Sequence, residues 1–208
     1  MARLVASVAA AFCSLVLALV PKVAHSAPAS KTPTVNHAGQ FGLRMGVALP
    51  FKVNFRYDDS PPCDVTTVGE QKKVCPVSSP VALDFAISYA VTSTVEPFLW
   101  YRQGLSAEEA TNTKATTLLG AGLRIYTNGT APFKILLQPA VAAEIEGPIL
   151  ASFGRNYGTD FVAQLHFGGQ YDFSRHVGAY FSLGPNVSFV RALSLGLDGT
   201  FGVQGRLP

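Results

Sequence analysis

The stretch "FGLRMGVALPFKVNFRY", residues 41–57, decides how this chain folds. Its odd positions are apolar or aromatic: Phe41, Leu43, Met45, Val47, Leu49, Phe51, Val53, Phe55 and Tyr57. Its even positions are small, polar or charged: Gly42, Arg44, Gly46, Ala48, Pro50, Lys52, Asn54 and Arg56. A period of two residues is that of a β-strand with one greasy side. That side faces either a protein core or lipid.

The pattern recurs. "VALDFAISYAV" sets Val81, Leu83, Phe85, Ile87, Tyr89 and Val91 against Ala82, Asp84, Ala86, Ser88 and Ala90. "FKILLQPAVAAEIE" sets Phe133, Ile135, Leu137, Val141 and Ile145 against Lys134, Gln138, Ala140, Ala142, Glu144 and Glu146. "FVAQLHFGGQYDF" sets Phe161, Leu165, Phe167, Tyr171 and Phe173 against Gln164, His166, Gly168, Gln170 and Asp172. "LSLGLDGTFGVQGRL" closes the series, with Ser194, Asp198, Thr200, Gln204 and Arg206 on its polar side. "TTLLGAGLRIY", "HVGAYFSLG" and "VEPFLWYRQGL" alternate less cleanly. Leu118 and Tyr126 break the first, and in the last Phe98 and Trp100 share a side with Glu96 and Arg102. The count is eight strands.

The links between them alternate in length. "TST" near Thr92, "TNGTA" from Thr127 and "SRH" from Ser174 are short, and Asn128-Gly129 signals a hairpin turn. Residues 58–79, 106–113, 147–159 and 185–191 form longer links. Such a rhythm fits an antiparallel up-and-down barrel with turns at one end and loops at the other.

Two eight-stranded barrels fit: a soluble lipocalin-like carrier with its apolar side inward, or a transmembrane barrel with that side in lipid. The non-greasy side decides for the membrane. A water-facing surface needs many long polar side chains, whereas here Gly, Ala and Ser dominate, as suits a narrow lumen. Only 14% of the 208 residues are charged, against about 25% in an ordinary soluble domain. The few charges on this side can pair across a lumen: Arg44, Arg56, Arg124 and Arg206 against Asp84, Glu144, Asp172 and Asp198. The formal charge of +3 is scattered and forms no basic run, which sets nucleic acid aside as a partner.

The first residues read as an export signal: a basic start at Arg3, an apolar run over 4–20, then "PKVAHSA" with cleavage after Ser26 or Ala27. The expected layout is a signal peptide over 1–26, a flexible periplasmic lead-in over 27–39, and the barrel over 40–208. Cys13 leaves with the signal, so Cys63 and Cys75 remain, flanking a polar loop in an oxidising compartment. A disulfide between them is expected, contributing about 3 kcal/mol in the chain-entropy picture. A metal site lacks neighbouring His or Cys ligands.

From about residue 39 to 208 the chain resembles the small outer-membrane β-barrels of Gram-negative bacteria, the OmpA-like and OmpX-like class. The features carrying that resemblance are the signal, the alternating strands, the alternating link lengths and the final amphipathic strand. It implies the outer membrane as location, with membrane lipid and the barrel-assembly machinery as partners. In that class the last strand is an assembly signal usually ending in an aromatic residue; this chain ends in Leu207-Pro208.

Fold alone does not set function. The expected role is non-enzymatic and without cofactor: structure, adhesion or capture of a surface ligand or host partner through the loops. The alternatives are a barrel hydrolase acting on lipid A or surface substrates, and the lipocalin-like carrier. His166 is the candidate base of a hydrolase, but no His-x-Ser pattern accompanies it on a strand, and hydrogen bonding within a lumen explains it. The expected lumen network is Arg44, Asp84, Arg124, Glu144, His166, Asp198 and Arg206. Phe51, Phe55, Tyr57, Tyr89, Tyr101, Phe133, Tyr171 and Phe173 read as interfacial girdles.

Overall fold

A computed structural model describes residues 35–55, 74–78, 81–106, 117–145, 160–188 and 193–208. Its strands are β1 (Phe41–Phe55), β2 (Val74–Ser78), β3 (Ala82–Tyr89), β4 (Val95–Gly104), β5 (Thr117–Tyr126), β6 (Phe133–Ile145), β7 (Asp160–Asp172), β8 (Val177–Ser188) and β9 (Leu193–Leu207). Neighbours from β3 to β9 pair antiparallel in chain order, β1 pairs β3, and β1 also pairs β9, so the sheet closes on itself. β2 takes over from β3 beside the outer half of β1. The register shifts by one residue between Ala48↔Ala82 and Phe51↔Ser78, so β2 and β3 act as one stave. The result is an all-β, closed, eight-stave barrel.

One parity runs around the whole wall. From β3 to β9 and on β1, even residues pair with even residues, as in Gly42↔Arg206 and Gly120↔Ala142. Among the described residues every exposed large hydrophobic is odd-numbered, Phe41, Leu99, Val141 and Phe181 among them. The buried Arg44, Glu96, Arg102, Arg124, Lys134, Asp172, Asp198 and Arg206 are all even. Among the described strand residues no outward side chain is charged. A polar interior inside a continuous apolar exterior excludes the soluble carrier, whose apolar side would face inward. It is a barrel built to stand in hydrocarbon.

Aromatics gather at the end where β1 begins and β9 ends. Phe41 stacks on Tyr89 at 5.0 Å between ring centroids, and Tyr171 meets Phe173 at 5.3 Å. Phe51 and Tyr101 lie outward toward the other end. The short turns share that end, which is the periplasmic side in such barrels.

Two local departures from the expected layout, and one strand that alternation left ambiguous, have physical reasons. β8 runs on to Ser188, into the segment expected to be a loop. Pro185 stays in the strand facing outward, and there the β7 ladder skips from Phe167↔Leu183 to Gln164↔Asn186, as a residue without an N–H requires. At Asn128-Gly129, Gly129 does not take the positive φ of a two-residue hairpin. Instead Asn128 Oδ1 accepts the Thr130 N–H at 3.4 Å, an Asx-type turn. In β4, Phe98 and Trp100 do point inward with Glu96 and Arg102. They fit because each stands directly opposite a glycine of β5, Gly122 and Gly120. A β-carbon on Gly122 would lie 2.7 Å from the Phe98 ring.

Val141 lies outward near the middle of β6, 62% exposed to the surroundings of the wall. Val141→Arg is expected to destabilise the folded barrel by about 2–4 kcal/mol in vesicles, read from urea unfolding followed by heat-modifiable migration.

Candidate functional site: the barrel lumen

The inward side chains interlock in layers. Toward the periplasmic end is a cluster around Glu96. Arg124 donates to Glu96 Oε1 at 2.7 Å, Arg206 donates to Oε2, and the Tyr126 hydroxyl lies 3.3 Å from Oε2. Arg44 joins through neutral partners: its Nε donates to Gln204 Oε1 at 2.7 Å, and its Nη2 to the Tyr126 oxygen at 2.8 Å and to Gln170 Oε1. One carboxylate therefore serves two guanidinium groups directly, with a third close by. Aromatic faces share that charge, with Arg44 over Tyr180 and Arg124 over Phe98, both at 4.3 Å from the ring centroid.

The second cluster, toward the outer end, inverts the ratio. Arg102 bridges two carboxylates, donating to Asp84 at 2.6 and 3.0 Å and to Asp198 at 2.6 Å. Trp100 lies beside it, its ring centroid 5.1 Å from the Arg102 guanidinium carbon. A third pair, Lys52 and Glu144 at 3.6 Å, stands nearer the outer mouth. In water such pairs are worth little, but in a narrow low-dielectric lumen each ion needs its partner.

The residues expected to line the lumen thus fall into different groups. Arg124 and Arg206 share Glu96, Asp84 and Asp198 share Arg102, and Glu144 faces Lys52. None of these partners is the one suggested by charge alone, and the same correction holds at two more residues: Asp172 takes Lys134 and His37, and Arg44 takes amides and a phenol. Glu96, Arg102 and Lys134, which organise the clusters, were not singled out from sequence. Arg56 and Cys63 lie outside the described residues, and with Cys63 the expected disulfide.

His166 sits midway along β7 and is 1% exposed. Neither ring nitrogen has a protein partner. It shares a cavity of about 20 Å³ with Gln164, Trp100 and Thr200, each of which also keeps a polar atom without a protein partner. That volume suits one or two water molecules. No hydroxyl or carboxylate among the described residues is hydrogen-bonded to the imidazole, as a nucleophile or an orienting acid would be.

The chain matches no protein-family model and no curated protein sequence. It does match solved structures. One is the N-terminal β-barrel domain of OprF from Pseudomonas aeruginosa, at 12% identity and TM-score 0.50, over 82% of this chain and 98% of that one. Another is Neisserial surface protein A, NspA, at 12% identity and TM-score 0.50, over 81% of this chain and 99% of that one. At such identity the likeness is one of fold: the chain has the fold of the small outer-membrane β-barrels.

Replacing Glu96 by Gln strands two guanidinium groups in the lumen. The expected cost is about 3–5 kcal/mol, the range for breaking a buried ion pair from one side, measured by urea unfolding in vesicles. Adding Arg124→Gln to that variant is expected to recover part of the loss.

Proposed function

We propose that this protein is a non-enzymatic barrel of the outer membrane whose long links, at the end away from the short turns, bind a partner at the cell surface. The supporting observation is the filled lumen. Arg44, Glu96, Arg102, Arg124, Asp198 and Arg206 are each at most 4% exposed, so the interior is an interlocked core and not a solute path. Binding then falls to the segments beyond the strands, chiefly residues 56–73, 107–116 and 146–159. A rigid barrel is a suitable mount for such segments, since recognition is commonly carried by loops on a fixed scaffold. Insertion by the barrel-assembly machinery belongs to the same reading. A surface hydrolase is disfavoured because none of the described residues is hydrogen-bonded to His166.

Cells producing the protein are compared with cells producing a version whose residues 56–73 and 146–159 are replaced by Gly-Ser linkers. The expected result is that adhesion to cultured epithelial cells falls to background while heat-modifiable migration persists. Adhesion undiminished in the linker version would contradict the loop role. Lipid A turnover by the purified protein that vanishes in His166→Ala would contradict the non-enzymatic reading.

A further inference from the structure

Residues 35–40 precede the first strand, yet they are not a free lead. Val35 is 4% exposed and His37 1%. The chain turns sharply before β1: the Gln40 N–H donates to the His37 carbonyl at 3.0 Å, and Gly39 supplies the left-handed φ of 81° that this turn needs. On one wall the Gly39 N–H donates to the Ala90 carbonyl at 2.8 Å, and the Ala90 N–H returns to the Gln40 carbonyl at 2.9 Å. On the other wall the Val35 N–H donates to the Thr130 carbonyl at 2.9 Å, in the turn between β5 and β6. The first wall is β3, next to β1; the start of β1, where the segment ends, has three staves between it and β6 on either side, so the segment reaches across the mouth from β1 to the β5–β6 turn.

Between the anchorages His37 dips into the lumen. Its Nε2 lies 2.8 Å from Asp172 Oδ2 and its Nδ1 3.2 Å from Gln40 Oε1. The same Asp172 oxygen accepts from Lys134 Nζ at 2.7 Å, and Lys134 also reaches the Val35 carbonyl at 3.4 Å. Asp172 Oδ1 accepts from Gln170 Nε2 at 2.7 Å, and Gln170 accepts from Arg44. A single carboxylate thus joins the segment to the network that fills the lumen. Lys134 is wholly buried although it lies only one residue inside the end of β6. Strand-end lysines normally reach water, and here the crossing segment lies in the way.

We propose that residues 35–40 form a strap that closes the periplasmic mouth of the lumen, with His37 as the latch and Asp172 as its catch, and that releasing it admits water to the Lys134–Asp172 layer. The strap is held by a few backbone hydrogen bonds and the buried side chains of Val35, His37 and Gln40, and the barrel wall by a continuous ladder. Local opening therefore precedes barrel unfolding.

The folded protein in detergent is exposed to a small water-soluble amine-acylating reagent, and labelling at Lys134 is read by peptide mass spectrometry. The two variants are His37→Ala, which removes the latch, and Val35→Pro, which removes the donor to Thr130. Heat-modifiable migration reports that each remains a barrel, and two independent variants guard against one failing to fold. Lys134 is expected to be nearly unlabelled in the unchanged protein and to label about ten-fold faster or more in the variants. Labelling at Lys52, at the far end of the lumen, is expected to stay constant. Lys134 labelling equally fast in the unchanged protein would overturn the proposal. So would a Lys134 that stays protected in a folded variant.

Discussion

Closure of the sheet is the constraint on which everything else depends. In hydrocarbon an unpaired strand edge leaves N–H and C=O groups with no water to meet them, and each costs several kcal/mol. β1 and β9 remove that edge by pairing along their full length, from Phe41↔Leu207 to Phe55↔Leu193. Once the sheet is closed, alternation along each strand becomes a division of space. Odd residues must suit acyl chains, and even residues must fill a tube scarcely wider than two side chains.

Filling that tube explains the chemistry of the interior. Large inward side chains need small ones opposite: Trp100 stands against Gly120, Phe98 against Gly122, and Tyr180 against Gly202. Charges need partners, and the two main clusters solve the same problem with opposite ratios, one carboxylate serving two arginines and one arginine serving two carboxylates. The excess positive charge of the first lies toward the excess negative charge of the second, with Arg44 between them in the lining of the His166 cavity. Removing one member therefore disturbs more than its own pair.

Much of this was legible in the chain because a two-residue period states both the strand and its faces. The eight staves, the outward apolar set and the polarity of the interior all follow from parity. The clusters were harder. Glu96 and Arg102 lie in the strand where Phe98 and Trp100 share their side, and alternation alone cannot say that aromatics belong in a lumen. The readable clue was Gly120-x-Gly122 on the next strand, which makes room for both rings. Charge counting could not choose among carboxylates either, because pairing depends on register. Asp172 and Lys134 meet because β6 and β7 run side by side there, with Lys134 opposite Gln170. His37 was hidden differently: in a Pro- and Ser-containing segment without periodicity, nothing marks a residue that folds back across a mouth.

The central claim is that the odd-numbered face is solvated by lipid. It is tested most directly by nitroxide labels placed singly at Leu43, Leu123, Phe167 and Leu195 of the protein in vesicles, comparing collisions with dissolved oxygen and with a water-soluble nickel complex. The account expects oxygen to dominate at all four sites, most strongly at those nearest mid-strand. Labels screened from both reagents, as in a packed protein core, would contradict it.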